Sequence, residues 1–396
     1  TRRNAVEGAR VFRRLLDLCE RESPDFLLLA GDVYNQEDAS VSAQLALRDG
    51  FRRLESLSIP VFLVHGNHDP LASRLRSVRW PGNVTVFGEL PDAVPVFRKG
   101  EETPLAIIHG ASHASGRETR NLAALFRRTE ACGLHVGLLH ATPGDADGVA
   151  RYAPFSQGDL KASGMDYWAL GHIHDRREVC REPLAAYPGC TQGLHINEPG
   201  EKGCLLVTAE ARPDGGYAVR TSFRPLGPAV WKTLDMDLGG AASLDELENR
   251  LRTGLDRAAA EVWSGCEMLL VRLRLQGRTE LDGLLRKGTT CAELADRLRE
   301  DGSGVPRIWI KDIDVATRPC VERGALLERE DLLGEVFRLS EAARTASGLQ
   351  ALREGPLAPL FAHARAGKAL EPLTDEELAR LLDDAESLCL ELLEND

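Results

Sequence analysis

Four short motifs in this sequence end in residue types that bind divalent metal ions. Each follows an apolar run typical of a buried strand, and in chain order they are Gly31-Asp32, Gly66-Asn67-His68-Asp69, His140 and Gly171-His172-Ile173-His174. Carboxylate and amide oxygens combined with imidazole nitrogens, without a thiolate, favour Mn²⁺, Fe or Zn²⁺ over Ca²⁺. The set therefore predicts a metal centre with mixed oxygen and nitrogen ligands.

The chemistry open to such a centre is phosphoryl transfer. Two ions about 4 Å apart can clamp a phosphoryl group, activate a water molecule and offset the charge on a leaving oxygen. Asp32 can bridge two ions because each of its oxygens can bind one. His68 would protonate the leaving oxygen or stabilise the phosphate charge, with Asp69 placed to orient its ring. Each motif alone also fits a polar turn or a satisfied core histidine, so the prediction depends on the whole set.

The elements that position these motifs alternate between short strands and helices, which predicts an α/β layered fold. Helical spacing of apolar residues occurs at 4–21 and 44–56. Strands are predicted at residues 26–30, 59–64, 84–87, 105–109, 136–139, 167–170 and 203–207. In open α/β sheets the loops at the carboxyl ends of the strands converge on one crevice, and all four motifs follow strands.

The sequence pattern changes at about residue 230. A capping box at 243–246 begins a helix, and strictly alternating strands are predicted at 271–275 and 307–315. This pattern predicts a small α/β domain at 229–325, followed by an acidic helical tail at 326–396. The tail carries an apolar stripe that would provide a docking surface or pack on its own domain; it includes Leu378, Leu381, Leu382, Leu388 and Leu392.

Composition sets the outer limits for the function. The chain has 396 residues, 43% of them apolar and 28% charged, and its apolar runs are shorter than the roughly 18 residues of a membrane span. Nine cysteines without CxxC pairing give no disulfide framework and are expected to stay reduced in a cytoplasm. The net charge of -12 makes salt-driven DNA binding weak without a local basic groove or a partner. Most of this charge lies in residues 226–396, which carry -11 against -1 for 1–225.

In composition, order and spacing, the four motifs resemble the calcineurin-like metallophosphoesterase family. The resemblance covers residues 1 to about 225 and implies a two-layer β-sandwich flanked by helices, with a dinuclear metal site. Three further segments resemble the bacterial SbcD-type and YhaO-type DNA repair nuclease branch of this family. They are Gly31-Asp32-Val33-Tyr34, Tyr187-Pro188-Gly189 and Gly200-Glu201-Lys202-Gly203.

The resemblance also implies roles for individual residues. Asp32 would be the bridging ligand, while His174 would serve one of the two ions. The ligands that complete the site of the other ion would be Asn67, His140 and His172. His68 would be the catalytic histidine that does not bind metal, and Mn²⁺ is the expected ion.

One motif of the family has no counterpart in this chain. The family's Asp-x-His should precede the opening helix, where no residues remain to hold it. Either the chain is an N-terminally incomplete form of an active enzyme, which the threonine at position 1 favours, or its lineage has lost one metal. This chain is therefore expected to bind one ion tightly and the other weakly, with poor activity.

Substrate contacts and partners complete the expectations. Arg74, Arg76 and Arg176 are candidates for binding substrate, and Arg79 with Trp80 would meet a phosphate and a base unless these residues form a solvated helix face. The resemblance implies DNA as substrate, a separate SMC-like or AAA-type ATPase subunit with coiled-coil arms, and a possible homodimer. The chain has no GxxxxGK[ST] segment for ATP hydrolysis of its own.

The predicted function is a cytoplasmic, metal-dependent phosphodiesterase that acts as an exonuclease or endonuclease subunit in DNA repair. Two alternatives stay open at this point. One is a phosphatase or phosphodiesterase acting on small nucleotides or phosphoproteins. The other is a catalytically impaired scaffold that binds DNA or an ATPase.

Overall fold

The computed structural model describes residues 2–33, 41–72, 78–145, 151–213, 215–300, 304–320, 323–363 and 373–394. The chain forms two compact units. The first consists of Thr1–Lys232, Ala259–Leu270 and Ser303–Trp309, and the second consists of Thr233–Ala258, Val271–Gly302 and Ile310–Asp396. The division into three domains at 1–225, 229–325 and 326–396 stays a prediction.

The first unit alternates helices and strands, as the sequence predicts. Its elements are α1 (Arg2–Glu22), β1 (Leu27–Ala30), α2 (Val41–Ser56), β2 (Val61–Val64), β3 (Val84–Val86), β4 (Asp92–Val96), β5 (Ala106–Ala111), β6 (Leu134–His140), α3 (Gln157–Ala162), β7 (Tyr167–Gly171), β8 (Arg177–Arg181), β9 (Leu184–Tyr187), β10 (Gly203–Ala211) and β11 (Tyr217–Pro225).

Two sheets face each other across the main core of this unit. The smaller is parallel, in the order β1-β2-β3, and the larger has the order β4-β5-β6-β7-β9-β8 with antiparallel edge strands. Between them lies one cluster of buried side chains that includes Phe62, Val64, Ile108, Leu138 and Tyr167. The hairpin of β10 and β11 packs Leu205, Val207 and Val219 against the same cluster.

Helices cover the outer face of each sheet. Helices α1 and α2 bury Leu15 and Phe51 against β1 and β2, while Leu160 of α3 packs with Trp168 on the far face of the larger sheet. A sheet face made of alternating apolar residues requires such a cover, because exposed apolar surface is unfavourable in water. The predicted two-layer sandwich flanked by helices is confirmed.

The remaining elements form the mixed C-terminal part of the chain. They are β12 (Ala229–Asp237), α4 (Leu244–Ala260), β13 (Met268–Thr279), α5 (Asp282–Leu285), α6 (Thr290–Glu300), β14 (Arg307–Pro319), α7 (Arg323–Leu327), α8 (Leu332–Ala343), α9 (Ala346–Glu354), α10 (Ala358–Ala362) and α11 (Asp375–Glu394). The three strands form one sheet in the order β12-β13-β14.

The C-terminal helices pack through a small core of their own. Leu333 and Phe337 of α8 and Leu390 of α11 are buried together, and Arg323 pairs with the carboxylate of Glu386 at 2.9 Å. The predicted apolar stripe of α11 divides between two environments. Leu378 is buried, whereas Leu381, Leu388 and Leu392 are exposed. Among the described residues, no helix combines the length and the apolar character required to cross a bilayer.

Candidate metal centre

All four motifs lie at the carboxyl ends of strands, as the sequence predicts. In the smaller sheet Ala30 pairs with Val64, so Gly31-Asp32 and the Gly66–Asp69 loop leave adjacent strands at the same level. In the larger sheet His140 pairs with Gly171 in parallel register, which places the last residue of β6 beside the His172 loop. The parallel pairing therefore presents each pair of motifs at one sheet edge.

Four of the predicted ligands converge across the two sheets. The Oδ1 atom of Asn67 lies 3.0 Å from His140 Nε2 and 3.2 Å from His172 Nδ1. The Oδ2 atom of Asp32 lies 3.3 Å from the same Nε2 atom. Ligand atoms of Asp32, His140 and His172 all lie within 4.8 Å of one another. Two ligands about 2.1 Å from an ion and at right angles are about 3 Å apart, so this spacing suits a coordination sphere.

The chemistry of the donor set fits a cation. The Nδ1 atom of His140 lies 2.8 Å from the carbonyl oxygen of Ala30, and because a carbonyl only accepts, Nδ1 carries the hydrogen. In the neutral ring Nε2 is then an unprotonated acceptor. It faces the amide oxygen of Asn67 and the carboxylate of Asp32, which are acceptors too. Three converging acceptors repel one another unless a cation or a proton lies between them.

The surroundings of Asp32 keep its carboxylate ionised. Burial raises its pKa, but the hydrogen bond and charge of a His140 ring protonated at Nε2, together with the backbone N–H of His68, lower the pKa to about 2. A charged carboxylate can bind metal at neutral pH without first losing a proton.

The backbone at the ligands is strained. Asp32 has φ of 52° and His172 has φ of 102°, both in the region that disfavours side chains other than glycine. Strain of this kind costs on the order of 1–3 kcal/mol for each residue and persists only when the surrounding structure enforces it. A Cβ added to Gly171 would lie 1.8 Å from the carbonyl oxygen of Ala30. Glycine is thus required for β7 to approach β1 closely enough to bring His172 into the group.

The loop after β2 places His68 and Asp69 in different environments. His68 is exposed, and its backbone N–H donates to Asp32 Oδ1 at 2.9 Å. Asp69 is fully buried and accepts backbone N–H bonds from Gly66 at 2.7 Å, Val33 at 3.0 Å and Asp32 at 3.2 Å.

The contacts of Asp69 require a correction to the role expected for it. The sequence predicts that this carboxylate orients the His68 ring, but both of its oxygens accept backbone N–H groups, and the imidazole near it is that of His65 at 3.5 Å. The physical reason is that the turn after β2 directs the N–H group of Gly66 at the carboxylate, while the loop after β1 directs those of Asp32 and Val33 at it. Asp69 therefore joins the two ligand-bearing loops to each other.

His174 lies in a second group of possible ligands. Its ligand atoms and those of Cys190 and Glu198 all lie within 4.8 Å of one another, and His174 Nδ1 is 2.5 Å from Glu198 Oε1. Burial raises the pKa of Glu198, but the backbone N–H of Leu194 and the His174 ring outweigh it and hold the pKa below its usual range. Burial raises the pKa of the Cys190 thiol to about 11.

The predicted substrate arginines have different outcomes. Arg74 and Arg76 lie outside the described residues. Arg176 is exposed, and its guanidinium lies 3.9 Å from the centroid of the Phe223 ring, a cation–π contact that holds its head near the His174 loop. Trp80 packs edge-on against Phe51 at 5.3 Å between ring centroids and is a core residue rather than a base contact.

Two residues that support the ligands are not among the predicted site residues. His113 is fully buried and donates through Nε2 to the backbone carbonyl of His140 at 2.6 Å. Glu198 closes a turn that begins at His195, whose carbonyl oxygen accepts the Glu198 backbone N–H at 2.9 Å. His113 follows β5 by two residues, so its position after a strand was the available signal, whereas Glu198 does not follow a strand closely.

Family models match two parts of the chain. Residues 6–176 match the model described as calcineurin-like phosphoesterase. Residues 231–318 match the model described as metallophosphoesterase YhaO, middle domain. The first match contains Asp32, Asn67, His140, His172 and His174.

Similar proteins come from bacteria and archaea. A Bacillus subtilis protein named uncharacterized metallophosphoesterase YhaO is 33% identical over 350 residues, which are 87% of this chain and 82% of the relative. The DNA double-strand break repair protein Mre11 of Aeropyrum pernix is 27% identical over 64% of this chain and 63% of its own length. The protein of the same name from Haloferax volcanii is 24% identical over 81% of this chain and 69% of its own length.

Proposed function

Because this chain belongs to the calcineurin-like metallophosphoesterase family, and within it to the YhaO type, we propose that it is a metal-dependent phosphodiesterase that hydrolyses DNA. The matches confirm the family resemblance that the four motifs indicate. The observation that carries the proposal is the convergence of Asp32, Asn67, His140 and His172, whose acceptor atoms face one another at 3.0–3.3 Å.

The proposed ligand sets follow from this convergence. Asn67, His140 and His172 would hold one ion together with Asp32, and Asp32 with His174 would contribute to the other. Mn²⁺ is the proposed ion, because oxygen and imidazole ligands without a thiolate suit it. When bound, the two ions would supply positive charge to the phosphoryl oxygens and an activated water molecule.

The protein's own groups would then complete the reaction. The backbone N–H of His68 donates to Asp32, and the charge of its exposed ring lowers the pKa of that carboxylate. This ring would donate a proton to the leaving oxygen of the phosphodiester. Asp69 would keep the His68 loop in register with the Asp32 loop through its three backbone contacts.

DNA is the proposed substrate because of the relatives. Two of the similar proteins are named DNA double-strand break repair protein Mre11. The alignment with the Haloferax volcanii protein runs over 341 residues, far beyond the segment that matches the phosphoesterase model. The nearly neutral segment 1–225 is less repulsive to a polyanion than the acidic remainder. A separate ATPase subunit and a homodimer belong to the same proposal, and the exposed leucines of α11 are a candidate contact.

The test is hydrolysis of a linear duplex by the full-length protein with and without Mn²⁺. We expect cleavage that is abolished by a chelator, and a fall of kcat by roughly 10²–10⁴-fold in His68→Ala, with Mn²⁺ affinity unchanged. His363→Ala is the matched control, since its ring is also exposed and it lies outside the unit that contains the site. Hydrolysis confined to mononucleotides or phosphopeptides would favour the phosphatase alternative. Binding of DNA without any hydrolysis would favour the scaffold.

A further inference from the structure

The carboxylate of Glu198 forms a hydrogen bond with one edge of the His174 ring. Its Oε1 atom lies 2.5 Å from His174 Nδ1, and its Oε2 atom accepts the backbone N–H of Leu194 at 2.7 Å. The Glu198 side chain is 7% exposed, whereas the His174 ring is 57% exposed. The buried Glu198 carboxylate, which accepts one hydrogen bond at each oxygen, therefore restrains a ring that is otherwise exposed to solvent.

The segment that carries Glu198 also fixes the backbone of His174. The carbonyl oxygen of His174 accepts the backbone N–H of Cys190 at 3.1 Å and lies 3.4 Å from the buried ammonium of Lys202. A Cβ added to Gly189 would lie 2.7 Å from the same oxygen. The stretch from residue 189 to 202 thus contacts the main chain and the ring of His174 together.

The contact with Glu198 determines which nitrogen of His174 can bind a metal. An ionised carboxylate only accepts hydrogen bonds, so Nδ1 carries the hydrogen and Nε2 keeps its lone pair. Metal-binding histidines commonly donate their other ring N–H to a carboxylate or carbonyl, which fixes the tautomer and makes the ligand more basic. His140 has the same arrangement with the carbonyl oxygen of Ala30.

We propose that Glu198 is a positioning residue that fixes His174 as an Nε2 ligand of the second ion. This inference depends on the proposed function, because it assumes that His174 binds metal. The competing arrangement is a direct site in which Glu198 and Cys190 are themselves ligands. In that arrangement an oxygen of Glu198 that already accepts an N–H group, from His174 or from Leu194, would also bind the ion through its second lone pair.

The first test reads the tautomer without any metal or substrate. In metal-free full-length protein with ¹⁵N-labelled histidine, two-bond ¹⁵N–¹H spectra should report His174 as protonated at Nδ1, with His174→Ala identifying its signals. Glu198→Gln should change this pattern, because the amide can present an N–H group to the ring. Identical ring signals in the wild type and Glu198→Gln would overturn the proposal.

The second test reads metal affinity by calorimetric titration with Mn²⁺. Glu198→Gln should weaken the second, weaker binding event by roughly 10–100-fold, as is typical when the partner of a metal-binding histidine is lost. The first event should be unchanged, and so should both events in Glu210→Gln, which removes an exposed carboxylate of the same unit. In a His174→Ala background the effect of Glu198→Gln should disappear, because Glu198 acts through that ring.

Cys190→Ser separates the positioning role from direct ligation. We expect Mn²⁺ affinity in this variant to equal that of the wild type. Two results together would establish a direct site and overturn the positioning role. They are a loss of affinity in Cys190→Ser similar to that of Glu198→Gln, and a thiolate absorption band that appears when Co²⁺ binds the wild type but not when it binds Cys190→Ser. The tautomer and metal measurements use no DNA, so failure of DNA hydrolysis would reject the proposed function without deciding the role of Glu198.

Discussion

The Nδ1 atom of His140, at the end of β6, donates to the carbonyl oxygen of Ala30, at the end of β1, over 2.8 Å. This hydrogen bond joins the two sheets at the candidate metal centre and sets the tautomer of His140. It leaves Nε2 directed at Asn67 Oδ1 and Asp32 Oδ2. The packing of the sandwich and the chemistry of the site therefore depend on the same contact.

Removal of the His140 ring should abolish the tighter metal site. In His140→Ala we expect Mn²⁺ affinity to fall by more than the 10–100-fold typical of an outer-shell residue, because a ligand itself is lost. Calorimetric titration measures the change. His363→Ala, which also removes an exposed ring, is the control, and its first binding event should match that of the wild type. An unchanged first event in His140→Ala would exclude this histidine from the site.

Gly171→Ala should separate β7 from β1. The new methyl group would lie 1.8 Å from the carbonyl oxygen of Ala30, so a strand must shift and move His172 away from Asn67. Overpacking of this kind costs about 1–3 kcal/mol, and we expect that loss in urea unfolding together with weaker metal binding.

Gly88→Ala is the matched control for this change, since no atom lies within 4 Å of the Cβ position there. Its free energy of unfolding and its metal affinity should stay within experimental error of the wild type. Equal behaviour of the two alanine variants would contradict the close approach of β7 and β1.

Asp69→Asn should destabilise the fold before it affects the chemistry. The carboxylate accepts three backbone N–H groups while fully buried, and an amide in its place would turn an N–H donor toward some of them. Each unsatisfied buried donor costs about 1–3 kcal/mol, so the free energy of unfolding should fall by on the order of 3 kcal/mol. Glu102→Gln, at an exposed carboxylate, should change it little. A stable variant that has lost only activity would restore a direct catalytic role for Asp69.

The buried pair of His109 and His135 should make stability depend on pH. Their rings meet at 2.9 Å, and burial, followed by the neighbouring charge of His135, lowers the pKa of His109 to about 4. The unfolded chain, with a histidine pKa near 6.5, binds more protons between these values. The contribution of the neutral His109 ring to the free energy of unfolding is therefore complete above about pH 6.5 and is lost as the pH falls toward about 4.

The measurement is urea unfolding of the wild type and His109→Gln at several pH values from 8 to 4.5. Each unit of pKa shift corresponds to about 1.4 kcal/mol, so the wild type should keep this stability from pH 8 to about 6.5 and lose it as the pH falls from about 6.5 to 4.5. The glutamine variant, which does not titrate and keeps an N–H donor, should show a smaller slope. Parallel curves for the two proteins would show that His109 does not contribute. The lowered pKa of His113, also about 4, adds a slope common to both proteins.

Most strands of the first unit could be predicted because they are short apolar runs bounded by turn residues. All seven predicted strands are present, with ends that differ by a few residues; for example, the strand predicted at 203–207 extends over Gly203–Ala211. Strands β4, β8, β9 and β11 of this unit were not predicted. In β4 and β8 only one side chain is fully buried, so their sequences show little apolar periodicity. Tertiary packing places β4 and β8 at the edges of the larger sheet. For this reason their sequences lack the apolar periodicity that would predict a strand.

The sequence by itself determined the ligand types, their order and their position after strands, because these properties depend on local composition and on the parallel sheet that alternating elements require. Only the tertiary structure decided which groups surround each ligand. It placed Asp69 on backbone amides, Trp80 in the core and Glu198 on the ring of His174. These contacts join residues separated by 24 to 37 positions or depend on the closure of a turn. Two residues that are distant in sequence and meet only in the folded chain produce no periodic pattern in the sequence. For that reason the residues that support the ligands could not be predicted from the sequence.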